Sequence, residues 1–517
     1  MKNLCLPALL LILFFGNVAA QTPAPCGMTR AQLDMVTERL DANLANASDV
    51  TERTIHYIPV RMILVGNDDG SGRVKERKVF DLLCSLNERY VPVDFRFYIE
   101  NGDFKYLNSS GVNLHQSGSN LTAMKGARST KAINYFITDA CDFGNNPGGD
   151  LVILGYYTPD NDWLVIKEGE VNNQSSTVAH ETGHFFSLLH PFNGWDQTPW
   201  TAGSTACAPV YSPDVPNLKT EKVDGSNSAS AGDKVTDTPA SFNFVLDQSD
   251  CSGNAYNGGA KDVNCTPLKN VTQADNYMDY FSNCQTYQFT PKQITLMQTD
   301  LNSSARNFLD NTYTPPAETL VAPSDMCISP VNAETTTYFD NFTFKWNAVP
   351  GATFYFFEMS LPQNVNATTV FQQVVKATEL NVKFAASANK KYYWRVTPMN
   401  EYVTCVGTGT SSAIQNFVTG TTSGTVSIEG LSEWGISPDP VSGSSEVTLR
   451  TVSDNQFSAD IEVTAVSGRV VFKEKNHDFS SGESNYVLPT GDLAAGIYLV
   501  SISQPTGRLT KKLVVTN

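Results

Sequence analysis

A chain of 517 residues is too long for a single core and calls for several domains of ~100–200 residues each. Its hydrophobic share of 41% and charged share of 17% are globular values, which exclude wholesale disorder. A net charge of −16 argues against nucleic acid as a partner, because phosphate binding needs clustered Lys and Arg, and fits a solvated acidic surface with room for oxygen-ligand cation sites.

In chain order, residues 1–20 (MKNLCLPALLLILFFGNVAA) read as a signal peptide: Lys2, an apolar run from Leu6 to Phe15, and Val18-x-Ala20 as a cleavage signature. No later stretch approaches ~20 uninterrupted apolar residues, so the mature chain is expected to have no transmembrane segment and to be secreted or held at the cell surface. Residues 21–53 are polar, carry one amphipathic helical pattern from Met28 to Leu44, and offer no core of their own. From residue 54 the pattern is α/β: strands over 55–65, 93–99, 132–138, 150–158 and 163–168, and a helix over 75–90. Residues 193–272 are irregular and hold three cysteines, as in a loop tied by disulfides or bound ions. A closing helix over 289–309 ends this region at 313, and a proline-rich linker occupies 314–322. Alternating strands then predict two all-β sandwiches, 323–420 and 430–517, with Trp346 and Trp394 as core candidates in the first.

The stretch VAHETGHFFSLLH (178–190) contains three of the six histidines. On a helix, His180 and His184 lie one turn apart on one face and can aim at a single ion, while Glu181 reaches a water on that ion without binding it. Zinc takes a few N or S ligands and leaves a position open when it is catalytic. His190 supplies the third ligand only if the helix ends and doubles back between Phe185 and Leu189.

This pattern resembles the metzincin zinc peptidases, H-E-x-x-H-x-x-G-x-x-H, with Ser187 where that family has Gly. Further elements, NYMDY…C…FTPKQ (276–293), GDKVTDTPA (232–240) and CGMTRAQLD (26–34), are similar to the pappalysin family of metzincins, so the resemblance covers about 26–310. It implies an α/β metzincin catalytic domain over 54–313, with a mixed sheet plus active-site helix, and a pro-segment over 21–53. It implies a zinc endopeptidase acting on protein or peptide substrates, with Glu181 as general base and Met278 in a structural turn under the metal. Tyr280 would steady the oxyanion, or simply pack in that turn. Calcium would be held by Asp233, Asp237 and Thr238, for which an Asx-type turn is the alternative. The strand at 151–158 would be the rim that binds substrate by β-addition. Relatives that favour arginine after the scissile bond read it with an acidic residue, which Phe281-Ser282-Asn283 lacks, so a weak arginine preference is expected.

Residues 342–360 and 390–400 resemble a fibronectin type III domain through W-x-A-V-P-G-A and Y-x-W-R-V. Residues 430–517 resemble the sorting domain of type IX secretion substrates, which implies the type IX machinery as a partner. The rival reading is an extracellular adhesin with a vestigial peptidase domain.

Nine cysteines remain after the signal peptide, an odd number. The family resemblance implies Cys207–Cys265 and Cys251–Cys284, and Cys327–Cys405 is expected within the first sandwich. Cys26, in the family's pro-segment motif, would occupy the open zinc position as a latency switch; a disulfide to Cys84 or Cys141 is the alternative.

Overall fold

This computed structural model describes residues 22–23, 28–47, 54–115, 120–141, 151–201, 204–244, 251, 259–269, 272–310, 312–365, 369–384, 386–407, 410–422, 428, 430–442, 445–504 and 507–516. The expected signal peptide and Cys26 lie outside them. Among the described residues, no helix is long and apolar enough to cross a membrane.

The N-terminal half is mixed α/β. Its elements are β1 (Thr22–Pro23), α1 (Arg30–Asn46), β2 (His56–Gly66), α2 (Glu76–Arg89), β3 (Phe95–Ile99), β4 (Lys105–Asn108), α3 (Ser110–Asn113), α4 (Asn120–Ala127), β5 (Ile133–Thr138), β6 (Leu151–Val152), β7 (Gly155–Thr158), β8 (Trp163–Lys167), α5 (Thr177–Phe185) and α6 (Pro291–Leu301). The central sheet runs β3-β2-β5-β8-β7, with β4 also paired to β2. Its strands are parallel except β7, which pairs antiparallel with β8 and forms the edge. A nearly unbroken apolar run in β2 (HYIPVRMILVG) follows from burial on both faces. Ile58, Val60, Met62 and Leu64 pack against helices α1, α2, α5 and α6, whereas Ile63 and Val65 pack with Val112 and Met124 of α3 and α4.

The polar segment 21–53 was expected to offer no core of its own, and the structure shows where the apolar positions of α1 go. Leu33, Val36 and Leu40 of α1 are buried in the α/β core. Thr29 starts this helix with a capping box closed by Gln32.

The C-terminal half is all β. Strands Cys327–Ser329, Asn341–Trp346 and Glu379–Lys383 make one sheet, and strands between Glu334 and Val418 make a second of five. Both enclose a core containing Trp346, Trp394, Phe344 and Phe357. Phe354, Phe356 and Met399 belong instead to the core of the α/β half, where Phe80 meets Phe356 at 5.0 Å. Strands between Leu431 and Thr516 form two further sheets around Leu449, Ile461, Val500 and Leu513.

One expected bridge is corrected here. Cys405 pairs with Cys84 of α2, Cα to Cα 4.9 Å, and not with Cys327, which remains a thiol. The expectation assumed that disulfides stay inside one domain, but the turn after Met399 lies on α2, where Arg77 donates to the carbonyl of Val406. The structure contains Cys207–Cys265 and Cys251–Cys284. With Cys327 a thiol, the odd cysteine count no longer singles out Cys26, and Cys84 is unavailable to it.

Candidate metal centre

Helix α5 is unusual in being buried all round: every residue from Val178 to Phe185 is covered. It ends because Phe186 leaves helical geometry and Ser187 turns left-handed at φ +66°. Leu188 N donates to Gly183 O at 3.0 Å across this reversal. The doubled-back chain returns His190 to the face of α5 that carries His180 and His184.

The three Nε2 atoms lie 3.0, 3.1 and 3.2 Å from one another. A tetrahedral ion with Zn–N bonds of ~2.0–2.1 Å needs nitrogens ~3.4 Å apart, so the cluster is close to that spacing. Each ring is fixed from behind. His180 Nδ1 donates to Tyr277 O at 2.7 Å, His184 Nδ1 to Leu188 O at 2.7 Å, and His190 Nδ1 to Asp196 Oδ1 at 2.6 Å. With Nδ1 protonated and held outward, each Nε2 lone pair faces the shared centre. Burial and the neighbouring rings push His180 down to about 3 and His184 well below its ordinary value, so both are neutral ligands at neutral pH. The donor set fits a divalent ion with imidazole preference, such as zinc.

Beneath the histidines lies Met278, fully buried. A Cβ added at Gly183 would stand 2.5 Å from its sulfur, so glycine there lets helix and methionine touch. Asn276 Oδ1 accepts from Met278 N at 2.9 Å, and Asn276 is itself held by Gln293 of α6. Tyr280 packs at ring-centroid distances of 5.6 Å from His180 and 4.9 Å from His190. His180, Glu181 and Tyr280 all open onto a cleft of ≈ 930 Å³ bounded by Gly155 on β7 and by Phe281 and Asn283.

The expected calcium ligands are divided. Asp233 is buried and accepts from Val235 N and the Thr238 hydroxyl, each at 2.9 Å. Asp237 is engaged elsewhere: its carboxylate accepts from the Thr290 hydroxyl and Lys292 N at the start of α6. Near Asp233 stands Glu221, whose two buried carboxylate oxygens have no hydrogen-bond partner among the described residues. Burial, with Asp233 close by, pushes Glu221 up to about 9; burial pushes Asp233 up to about 8.

Asp196, Asn276 and Glu221 escaped the sequence reading. Only Asp196 left a trace, as an acid six residues past His190.

Residues 435–516 match the model of the secretion system C-terminal sorting domain. An extracellular metalloprotease of Neurospora crassa is 23% identical over 305 residues, 55% of this chain and 90% of the other. One from Pyricularia oryzae is 28% identical over 186 residues (31% and 61%), and one from Colletotrichum graminicola 24% over 271 (50% and 79%). The chain is thus a distant relative of extracellular metalloproteases. It carries a buried three-histidine cluster and a type IX sorting domain, and it is a secreted or cell-surface protein.

Proposed function

We propose that this chain is a zinc endopeptidase of the metzincin, pappalysin-like kind, exported through the type IX machinery and made latent. The observation that carries this reading is the convergence of three outward-braced histidines on one point, with Glu181 beside them in an open cleft.

Zinc, when bound, supplies a Lewis acid that polarises the scissile carbonyl and makes water acidic enough to lose a proton near neutral pH. Glu181 takes that proton as water adds to the carbonyl carbon, then hands it to the amine as the C–N bond breaks. The Tyr280 hydroxyl stabilises the oxygen on which negative charge develops. Strand β7, free on one edge, and β6 before it hold the substrate backbone by β-addition. Phe281, Ser282 and Asn283, which line the cleft, carry no carboxylate, and the weak arginine preference rests on that stretch alone, since Glu88, Glu170 and Asp279 line the same cleft elsewhere.

Calcium is assigned to Glu221, Asp233 and Thr238. The support is an orphaned, buried carboxylate beside a second one, which a divalent cation would neutralise. Latency is assigned to Cys26, supported by β1: Thr22 and Pro23 pair with Leu151 and Val152, on the segment assigned to substrate, just ahead of Cys26. Cys26→Ala should then yield a precursor active without cleavage; a precursor as latent as the wild type would rule this out.

The decisive variant is Glu181→Ala. It should retain one zinc and lose orders of magnitude in peptide hydrolysis, since the base is gone and the ligands remain. Substantial peptidase activity in that variant would overturn the mechanism.

A further inference from the structure

The turn from His184 to His190 holds a serine where the backbone favours glycine. At φ +66° a side chain crowds the following carbonyl oxygen, and only glycine escapes that strain. Ser187 is fully buried, so water cannot satisfy its hydroxyl. That hydroxyl accepts from Asn43 Nδ2 at 2.7 Å, and Asn43 lies on α1, far back in the sequence. The same amide donates to Asp300 Oδ1 at 2.8 Å, and Asp300 pairs with Arg306 at 2.7 Å. Arg306 donates to the carbonyl of Phe185, on which Arg39 of α1 also converges at 3.4 Å. One residue past Ser187, Leu188 O fixes the His184 ring. Both flanks of the reversal are therefore gripped by side chains, and α1 contributes to each.

We propose that Asn43 is a positioning residue of the metal centre: it holds Ser187 in the left-handed turn that presents His184 and His190 to one ion. Glycine at 187 would adopt this turn unaided; serine needs a partner for a buried hydroxyl and a brace against relaxation to negative φ. Helix α1 is on this proposal a working part of the site as well as a cover over the core, so activating cleavage falls after Cys26 and ahead of Arg30 rather than at the end of the 21–53 segment. The inference rests on the metal reading above and concerns a different residue set.

The discriminating experiment is a double-mutant cycle read by zinc affinity, measured on the full-length chain in competition with a chromophoric chelator. Asn43→Ala should weaken zinc by ~10–100-fold, the usual effect of losing a group that orients metal ligands. Ser187→Gly should bind like the wild type, and Asn43→Ala in the Ser187→Gly background should cost far less affinity than it does beside serine, what remains reflecting its bond to Asp300. Asn46→Ala, an exposed change on the same helix, should be silent. Thermal unfolding of the metal-free proteins is the second readout: the loss caused by Asn43→Ala should shrink in the glycine background. An Asn43→Ala chain with wild-type zinc affinity would overturn the proposal. So would an equal loss, of affinity or of folding, in both backgrounds. A wild-type chain that binds no zinc would instead remove the metal reading itself.

Discussion

Residues 327–418 and 431–516 each fold two β-sheets around one apolar core, yet they relate differently to the α/β half. Phe354, Phe356 and Met399 of the first unit also belong to the α/β core, and Cys405 is bonded to Cys84 of α2. Glu358, fully buried, is held between Arg77 of α2 at 3.1 Å and Arg395 of its own sheet at 2.8 Å. Ile99 N even donates to Glu401 O at 2.7 Å, main chain to main chain. Among the described residues, the core of the second unit draws on those from Ile428 to Val515. The same architecture thus serves once as part of the α/β body and once as a module with its own core. That is what a transport label needs, since it must be read without disturbing the site.

The sharpest way to break this comparison is truncation. Removing residues 430–517 should leave thermal stability and cleft chemistry intact while abolishing export. Ending the chain at residue 322 should strip cover from Phe80 and the α/β core and prevent accumulation of soluble protein. Equal tolerance of the two cuts would contradict the account. Next comes Glu358→Ala, which takes the shared carboxylate from buried Arg395 and partly exposed Arg77, the latter keeping Asp81, and should cost up to ~3–5 kcal/mol in denaturant unfolding. Replacing Cys84 and Cys405 by serine should cost ~2–5 kcal/mol, because the bridge spans 321 residues of chain. Cys327→Ser, at the position expected to share that bridge, should change stability by less than ~1 kcal/mol. Smallest is Arg450→Ala in the second unit. Its pairs with Glu433 and Glu483 are solvent-exposed, so little or no loss of stability is expected, shrinking further with salt.

A pH series separates the calcium assignment from packing. Glu221 and Asp233 have folded-state pKa values raised above their ordinary ones, to about 9 and about 8. Without a cation, their contribution to stability is fully present below pH ~4 and is lost as pH rises toward those values. Added calcium should therefore stabilise the fold more at pH 8 than at pH 5, by up to ~2–3 kcal/mol at a hundredfold excess over Kd, with a matching rise in melting temperature. Glu221→Gln should blunt the rise; an equal response in that variant would argue against the site.

Much of the molecule was legible in the chain. His180, Glu181 and His184 follow from helical spacing, and the need for a reversal before His190 predicted the bend that the structure places at Phe186 and Ser187. The strands of the central sheet follow from apolar runs that burial on two faces requires. What could not be read depends on contacts between distant segments. Asn43 meets Ser187 across 144 residues, and Cys84 meets Cys405 across 321. Neither leaves a local pattern. Glu221 was missed because an acid in a polar loop resembles a solvated one until its burial is known. Asp237 was assigned to calcium on its neighbours, whereas the start of α6 claims it.

Metal content and peptide hydrolysis, followed together through chelation and zinc titration of the activated chain, test the central claim most directly. Activity should vanish with the metal and return in proportion to zinc, saturating at one ion per chain. Hydrolysis that survives complete removal of zinc, or that fails to return when one zinc per chain is restored to folded protein, would contradict it.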